Sequence, residues 1–193
     1  MKALAVYCGS ATPADPVYID AARHVGRTLA ERGITTVYGG GRLGLMGAVA
    51  DAALAAGGDV IGVIPEALVG SEVAHQGCTQ LHVVPGMHER KRMFTDLSDG
   101  FINLPGGVGT MDELWEAVSW AQLGYHHKPV GILNIAGYYD HLIAFNAHMA
   151  EVGFVRDAHK GILVMAQEID DLLTKMDGYV PHKSIFQMKA EDL

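Results

Sequence analysis

The sequence predicts an α/β domain in which a mainly parallel sheet of about seven strands is doubly wound by helices. Three observations point there. Short apolar runs alternate with longer stretches of helical spacing along the chain, the pattern of successive βαβ units. The apolar runs are continuous rather than alternating, as in strands covered on both faces. With 193 residues, 49% hydrophobic and 19% charged, the chain has the size of one ordinary domain with a full core, and global disorder is excluded.

The first strand is expected over residues 3–8. Asp15 then stands as a cap before Pro16, whose fixed φ suits the first helical position. Ile19, Ala22, Val25, Gly26 and Leu29 recur at helical spacing, and Gly33 stops the helix. Residues 34–38 form the second strand and 45–56 the second helix. Strands follow at 60–64 and 80–84, separated by residues 65–79, whose weak pattern suits a loop or short helix near a site. The alternation continues with helix 87–98, strand 100–104, helix 111–123, strand 130–134, helix 138–152, strand 162–165 and helix 168–175. The tail, 178–193, is irregular or lies against a partner. A single Rossmann-like domain over residues 1–193 results, and such a sheet binds ligands at the carboxyl ends of its strands.

Composition removes several function classes. Fourteen Lys and Arg against 22 Asp and Glu give a net charge of −8, which opposes broad binding to nucleic acid or anionic membrane. Cys8 and Cys78 are too few for a disulfide scaffold and fit a reducing cytoplasm. Lys2 precedes only a short apolar run, below the about 7–15 residues of a signal peptide, and no run approaches the about 18 of a membrane span. The ten histidines include no H-E-x-x-H and no paired Cys/His spacing, so no metal is expected. His126 and His127 read as helix-end residues, Cys8 as a small core residue rather than a nucleophile, and Trp115 and Trp120 as packing residues.

Two glycine clusters follow strands. In the first, Gly39-Gly40-Gly41-Arg42-Leu43-Gly44-Leu45-Met46-Gly47, the backbone can approach a phosphate ahead of a helix start. With Gly9 and Ser10 it makes a candidate nucleotide loop of Gly40, Gly41, Gly44, Met46 and Gly47. Its G-x-G-x-x-G match falls after the second strand rather than the first, and no acidic residue ends the next strand at the spacing of a dinucleotide site. A tight turn with close helix packing explains it as well. The second cluster, Pro105-Gly106-Gly107-Val108-Gly109-Thr110, leads from a strand into a helix whose amides can converge on an anion. It lacks the Gly-Lys-Ser/Thr ending of a Walker loop. Thr110 and Glu113 also have capping-box spacing, which aims a carboxylate at the same helix end.

The remaining chemistry sits in Met87-His88-Glu89-Arg90-Lys91-Arg92. Arg92 suits a solvated helix face, whereas Arg90 or Lys91 would neutralise phosphate or fork to ribose hydroxyls.

Residues 105–113 resemble the P-G-G-x-G-T-x-x-E signature of the "lonely guy" phosphoribohydrolases, and Met87 to Lys91 is similar to their M-x-x-R-K segment. The resemblance extends through residues 6–10, 37–47, 62–65, 120–124 and 128–131. It implies release of cytokinin bases from riboside 5′-monophosphates, without a cofactor, by homodimers or larger assemblies with the site near the subunit interface. By position, Arg90 and Glu113 match the family's catalytic pair. Glu72, Arg90, Lys91, Ser119 and the segment Gly107, Val108, Gly109, Thr110, Met111, Asp112 and Glu113 match its nucleotide contacts. Ser119 is often threonine in plant members, and Asp112 replaces a common glutamate. The expected reaction is hydrolysis of the N-glycosidic bond of a purine nucleoside 5′-monophosphate. The rival is a nucleotide or molybdopterin-cofactor carrier of the same fold without turnover. Lysine decarboxylation, a label many bacterial members bear, would need pyridoxal phosphate and a Schiff-base lysine, for which only Lys91 is near.

Overall fold

Continuous apolar strands need cover on both faces, and the computed structural model, which describes residues 1–70 and 74–186, supplies it with three helices on each side. The elements in chain order are β1 (Ala3–Tyr7), α1 (Pro16–Glu31), β2 (Thr35–Tyr38), α2 (Gly44–Ala55), β3 (Val60–Pro65), β4 (Gln80–Val84), α3 (Met87–Leu97), β5 (Phe101–Asn103), α4 (Val108–Leu123), β6 (Val130–Leu133), α5 (Asp140–Glu151), β7 (Leu163–Ala166) and α6 (Ile169–Asp177). The strand order is β4-β3-β2-β1-β5-β6-β7, and every pairing is parallel. The chain builds outward from β1 to β4, then returns to place β5 on the other side of β1. Connections leaving β1 and β5 therefore diverge and open a crevice at their carboxyl ends.

Residues alternate across the sheet at a period of two. Leu4, Val6 and Ile102 face α1, α2 and α6, while Ala5, Tyr7 and Phe101 face α3, α4 and α5. Tyr7 stacks on Phe101 at 5.7 Å and meets Phe94 edge-on at 5.5 Å, contacts worth about 0.5–1.5 kcal/mol each beyond burial. Asp15 caps α1 through Val17 N–H at 2.9 Å, and Gly33 adopts a positive φ just past its end, both as the sequence predicts.

Boundaries fall within two residues of expectation except at the start of α4, and the two-residue shift at the start of α5 has its own physical cause. α4 begins at Val108, not Met111, with Gly107 as an extended cap that makes no side-chain bond. The capping box expected of Thr110 and Glu113 is therefore not formed, since Thr110 lies inside the first turn and is buried. α5 begins at Asp140 rather than Tyr138 because residues 135–137 form a 3₁₀ turn containing Ala136 at φ 50°, ψ 32°. That left-handed conformation costs a residue with a Cβ about 1–2 kcal/mol and ends any helix through it.

Within residues 65–79, a 3₁₀ turn at Glu66–Leu68 supplies the expected short helix, and Ala74 bridges to Gly41. The described part of the tail is irregular and lies against the body of its own chain, with Ile185 N–H bonded to Gln122 O at 3.1 Å and His159 Nε2 2.9 Å from Lys183 O. No described helix is long and apolar enough to cross a membrane.

Candidate active site

A cleft of about 250 Å³ occupies the crevice between β1 and β5. β1 and its exit supply Val6, Cys8, Gly9 and Ser10. Gly39 and Met46 come from the β2–α2 segment, Arg90 from α3, and Gly107 to Thr110 with Glu113 from the start of α4.

Arg90 is 6% exposed and held from two strands. Its Nε donates to Val63 O at 3.1 Å and its Nη2 to Gly39 O at 3.0 Å. The guanidinium lies 5.4 Å from the centre of the Phe94 ring. Nη1 lies 3.8 Å from Met87 Sδ and 3.9 Å from Glu113 Oε1, and the guanidinium borders the cleft. Gly39 is required here, because a Cβ would lie 2.2 Å from Arg90 Nη2.

The two neighbouring cations behave differently. Arg92 pairs with Asp96 at 3.0 Å in solvent, as expected of a solvated face. Lys91 does not line the cleft. Its ammonium pairs with Asp112 at 3.1 Å and with Glu116, fastening α3 to α4 immediately beside Arg90 and Glu113. Burial pulls the Lys91 pKa down, but the hydrogen bonds to Glu116 and Asp112 outweigh it and leave it above the ordinary lysine value.

The two glycine loops divide their roles. At the start of α2, Leu45 and Met46 N–H both donate to Gly9 O, at 3.0 and 3.3 Å, so those amides are spent within the protein. Gly44 (φ +57°) and Gly47 have no room for a side chain, since their Cβ atoms would lie 2.3 Å from Ser10 O and 2.1 Å from Arg42 O. Close packing thus explains this loop. The start of α4 has neither a side-chain cap nor an acidic residue in its first turn. A helix leaves its first N–H groups without internal acceptors, and those of α4 lie along the cleft wall.

Glu113 sits in the second turn of α4 with 11% of its side chain exposed. Its field reaches the floor of the cleft. Burial first, then the charge of Glu113, pushes the Cys8 thiol well above its ordinary pKa, against a smaller opposing pull from Arg90. Tyr7 is raised likewise, by burial, then Glu113 and Glu116. Cys8 therefore stays a protonated core thiol rather than a nucleophile.

Of the residues expected to contact a nucleotide, the cleft gathers Arg90, Gly107, Val108, Gly109, Thr110, Glu113, Gly9, Ser10 and Met46. Met111 packs half-buried against the core, Asp112 points to Lys91, and Ser119 lies exposed on a groove with Trp115 and Phe154. Gly40, Gly41, Gly44 and Gly47 shape the α2 loop without lining the cleft. Glu72 lies outside the described residues. Val6 and Cys8 line the cleft although the sequence marks them only as strand residues; their single signal is their place at the end of β1. His126 is likewise structural, with Nε2 2.9 Å from Ala117 O and Nδ1 accepting from Lys128 N–H.

Fold and cleft together define a Rossmann-like protein that presents an uncapped helix start and a guanidinium–carboxylate pair at the point where the sheet order reverses. Residues 46–176 match the family model described as "Possible lysine decarboxylase". The chain is 44% identical over 184 residues to the cytokinin riboside 5′-monophosphate phosphoribohydrolase LOG of Oryza sativa subsp. japonica, covering 95% of this chain and 76% of that protein. It is 42% identical over 193 residues to the LOG1 enzyme of the same description from Arabidopsis thaliana, covering 100% and 91%. Among solved structures, the Moco carrier protein of Chlamydomonas reinhardtii matches with a TM-score of 0.70 at 21% identity, over 92% of this chain and 96% of that one. The molybdenum cofactor binding protein of Rippkaea orientalis matches at 0.66 and 18%, over the same shares. These two likenesses concern the fold alone. The chain belongs to the "lonely guy" phosphoribohydrolase family.

Proposed function

We propose that the protein hydrolyses the N-glycosidic bond of adenosine 5′-monophosphates, N6-modified or plain, to the free base (cytokinin or adenine) and ribose 5-phosphate. The observation that carries this reading is the Arg90–Glu113 pair beside the uncapped start of α4 in one cleft. The phosphate binds the amides of Gly107 to Thr110, where the helix dipole favours an anion. Ribose then lies toward Glu113. As the C1′–N bond breaks, its electron pair leaves with the base and the sugar gains oxocarbenium character. The Glu113 carboxylate stabilises that charge and takes a proton from the attacking water, which forms the new C1′–O bond, while one proton passes to the departing ring nitrogen so that the base leaves neutral and the carboxylate is restored. Arg90 orients the phosphate–ribose end. Preorganised charges of this kind are worth about 3–4 kcal/mol of barrier each. The protein works as a homodimer or larger homo-oligomer in the cytoplasm.

A carrier of the same fold needs an anion-binding loop but no carboxylate beside the glycosidic carbon, so the Arg90–Glu113 pair favours turnover over carriage. The experiment supplies purified protein with AMP and with N6-isopentenyladenosine monophosphate and separates released base by chromatography, alongside Arg90→Ala and Glu113→Ala. Release that both substitutions abolish supports the hydrolase, and the two rates give its base preference. Nucleotide that binds without release in the wild type overturns it in favour of the carrier.

A further inference from the structure

Three successive carbonyls at the exit of β5 each accept from a dedicated donor. Leu104 O receives the Tyr139 hydroxyl at 2.6 Å, Pro105 O the Gly9 N–H at 3.1 Å, and Gly106 O the Tyr138 hydroxyl at 2.5 Å. Both tyrosines follow the left-handed turn at Ala136 and Gly137, which delivers them side by side. Tyr139 is buried and anchored through its N–H to Asn134 Oδ1 at 2.7 Å. Tyr138 stays 43% exposed, with its ring edge-on to Tyr139 at 4.9 Å and to Tyr18 of α1 at 5.9 Å.

We propose that Tyr138 is a positioning residue that locks the Gly106–Gly107 peptide in its phosphate-binding orientation. A trans peptide points its N–H opposite to its C=O, and no peptide in the described chain is cis. Holding Gly106 O toward Tyr138 therefore turns the Gly107 N–H the other way, to the side where Gly107 lines the cleft and Tyr138 does not. Glycine on both sides leaves this peptide free to rotate. Rotated, it would aim a carbonyl oxygen at a bound phosphate and replace attraction by repulsion. The Tyr138 hydroxyl removes that alternative before the ligand arrives, which saves the cost of ordering the loop on binding.

The inference deepens the proposed reaction and rests on the same phosphate subsite. Its test compares wild type with Tyr138→Phe, which keeps the ring contacts and removes only the hydroxyl. Initial rates with AMP are measured beside calorimetric binding of ribose 5-phosphate and thermal unfolding. The expected result is a KM raised about tenfold and ribose 5-phosphate affinity lowered about tenfold, the loss of one good hydrogen bond to the ligand. The kcat and the unfolding temperature should be nearly unchanged. Unaltered KM and affinity overturn the proposal, as does a fall in kcat at constant KM. If the wild type binds ribose 5-phosphate but releases no base, the hydrolase reading fails while the titration still decides the role of Tyr138. If it binds no ribose 5-phosphate, the lock is overturned with the subsite.

Discussion

Arg90 Nη1 stands 3.9 Å from Glu113 Oε1, and both side chains are nearly closed to solvent. At this distance the two attract without a direct hydrogen bond, so neither group's lone pairs or protons are consumed by the other. The guanidinium takes its fixed geometry from Val63 O and Gly39 O instead. One side chain of the pair is thus part of the scaffold as well as of the site.

That asymmetry separates two substitutions. Glu113→Gln should lower kcat by about 10²–10³-fold while leaving stability close to wild type. Arg90→Ala should lower activity similarly and also destabilise, because the Val63 and Gly39 carbonyls lose a charged donor, at about 1–3 kcal/mol per unsatisfied group. Turnover and urea unfolding on the same preparations check both. Equal stability of the two variants would contradict the scaffold role.

Gly39→Ala tests the space beside Arg90. The new methyl would meet Nη2 at 2.2 Å and Met46 Sδ at 2.9 Å. The guanidinium is pinned on two sides and must shift out of its plane toward the cleft. Activity should fall by more than about tenfold, since displacements near 1 Å cost about that or more. The fold should persist, because both clashing atoms are side-chain ends. Steady-state rates with a circular dichroism melt distinguish this from general unfolding.

Lys91 is predicted to act as a fastener between helices. Lys91→Ala and Asp112→Ala should show a coupling of about 0.5–1 kcal/mol in a double-mutant cycle by urea unfolding, the scale for partly exposed pairs. Raised ionic strength should weaken it. Additive effects would leave Lys91 available to phosphate and restore the direct contact implied by the family resemblance.

The sheet was legible because its strands are runs such as residues 60–64 and 130–134, where nearly every side chain is apolar and no competing period exists. The second glycine loop was legible for a similar reason: strand, Pro-Gly-Gly and helix are adjacent in sequence, so local rules suffice. What the sequence concealed depends on contacts between distant segments. Lys91 looks like a phosphate ligand until α4 brings Asp112 and Glu116 to it. Gly44 and Gly47 look like a phosphate loop until the Ser10 and Arg42 carbonyls are seen against them. Ala136 carries no signal of its left-handed backbone, so the two tyrosines that follow it read as the first turn of a helix.

The pH dependence of stability should carry the mark of His126. Its Nδ1 accepts the Lys128 N–H and its Nε2 donates to Ala117 O, an arrangement that only the neutral ring can make. Burial lowers its pKa from the ordinary 6.5 to about 4, more than the Ala117 bond raises it, with Lys128 and His127 adding to the fall. The folded state therefore binds fewer protons than the unfolded chain across that interval. This contribution to stability is complete above pH 6.5 and drains away as pH falls toward about 4. Thermal unfolding from pH 7 to pH 4 should show a steeper loss in wild type than in His126→Phe, which starts less stable but has no imidazole to charge. Parallel curves would mean that protonation of this ring does not drive the acid transition and that other groups dominate it.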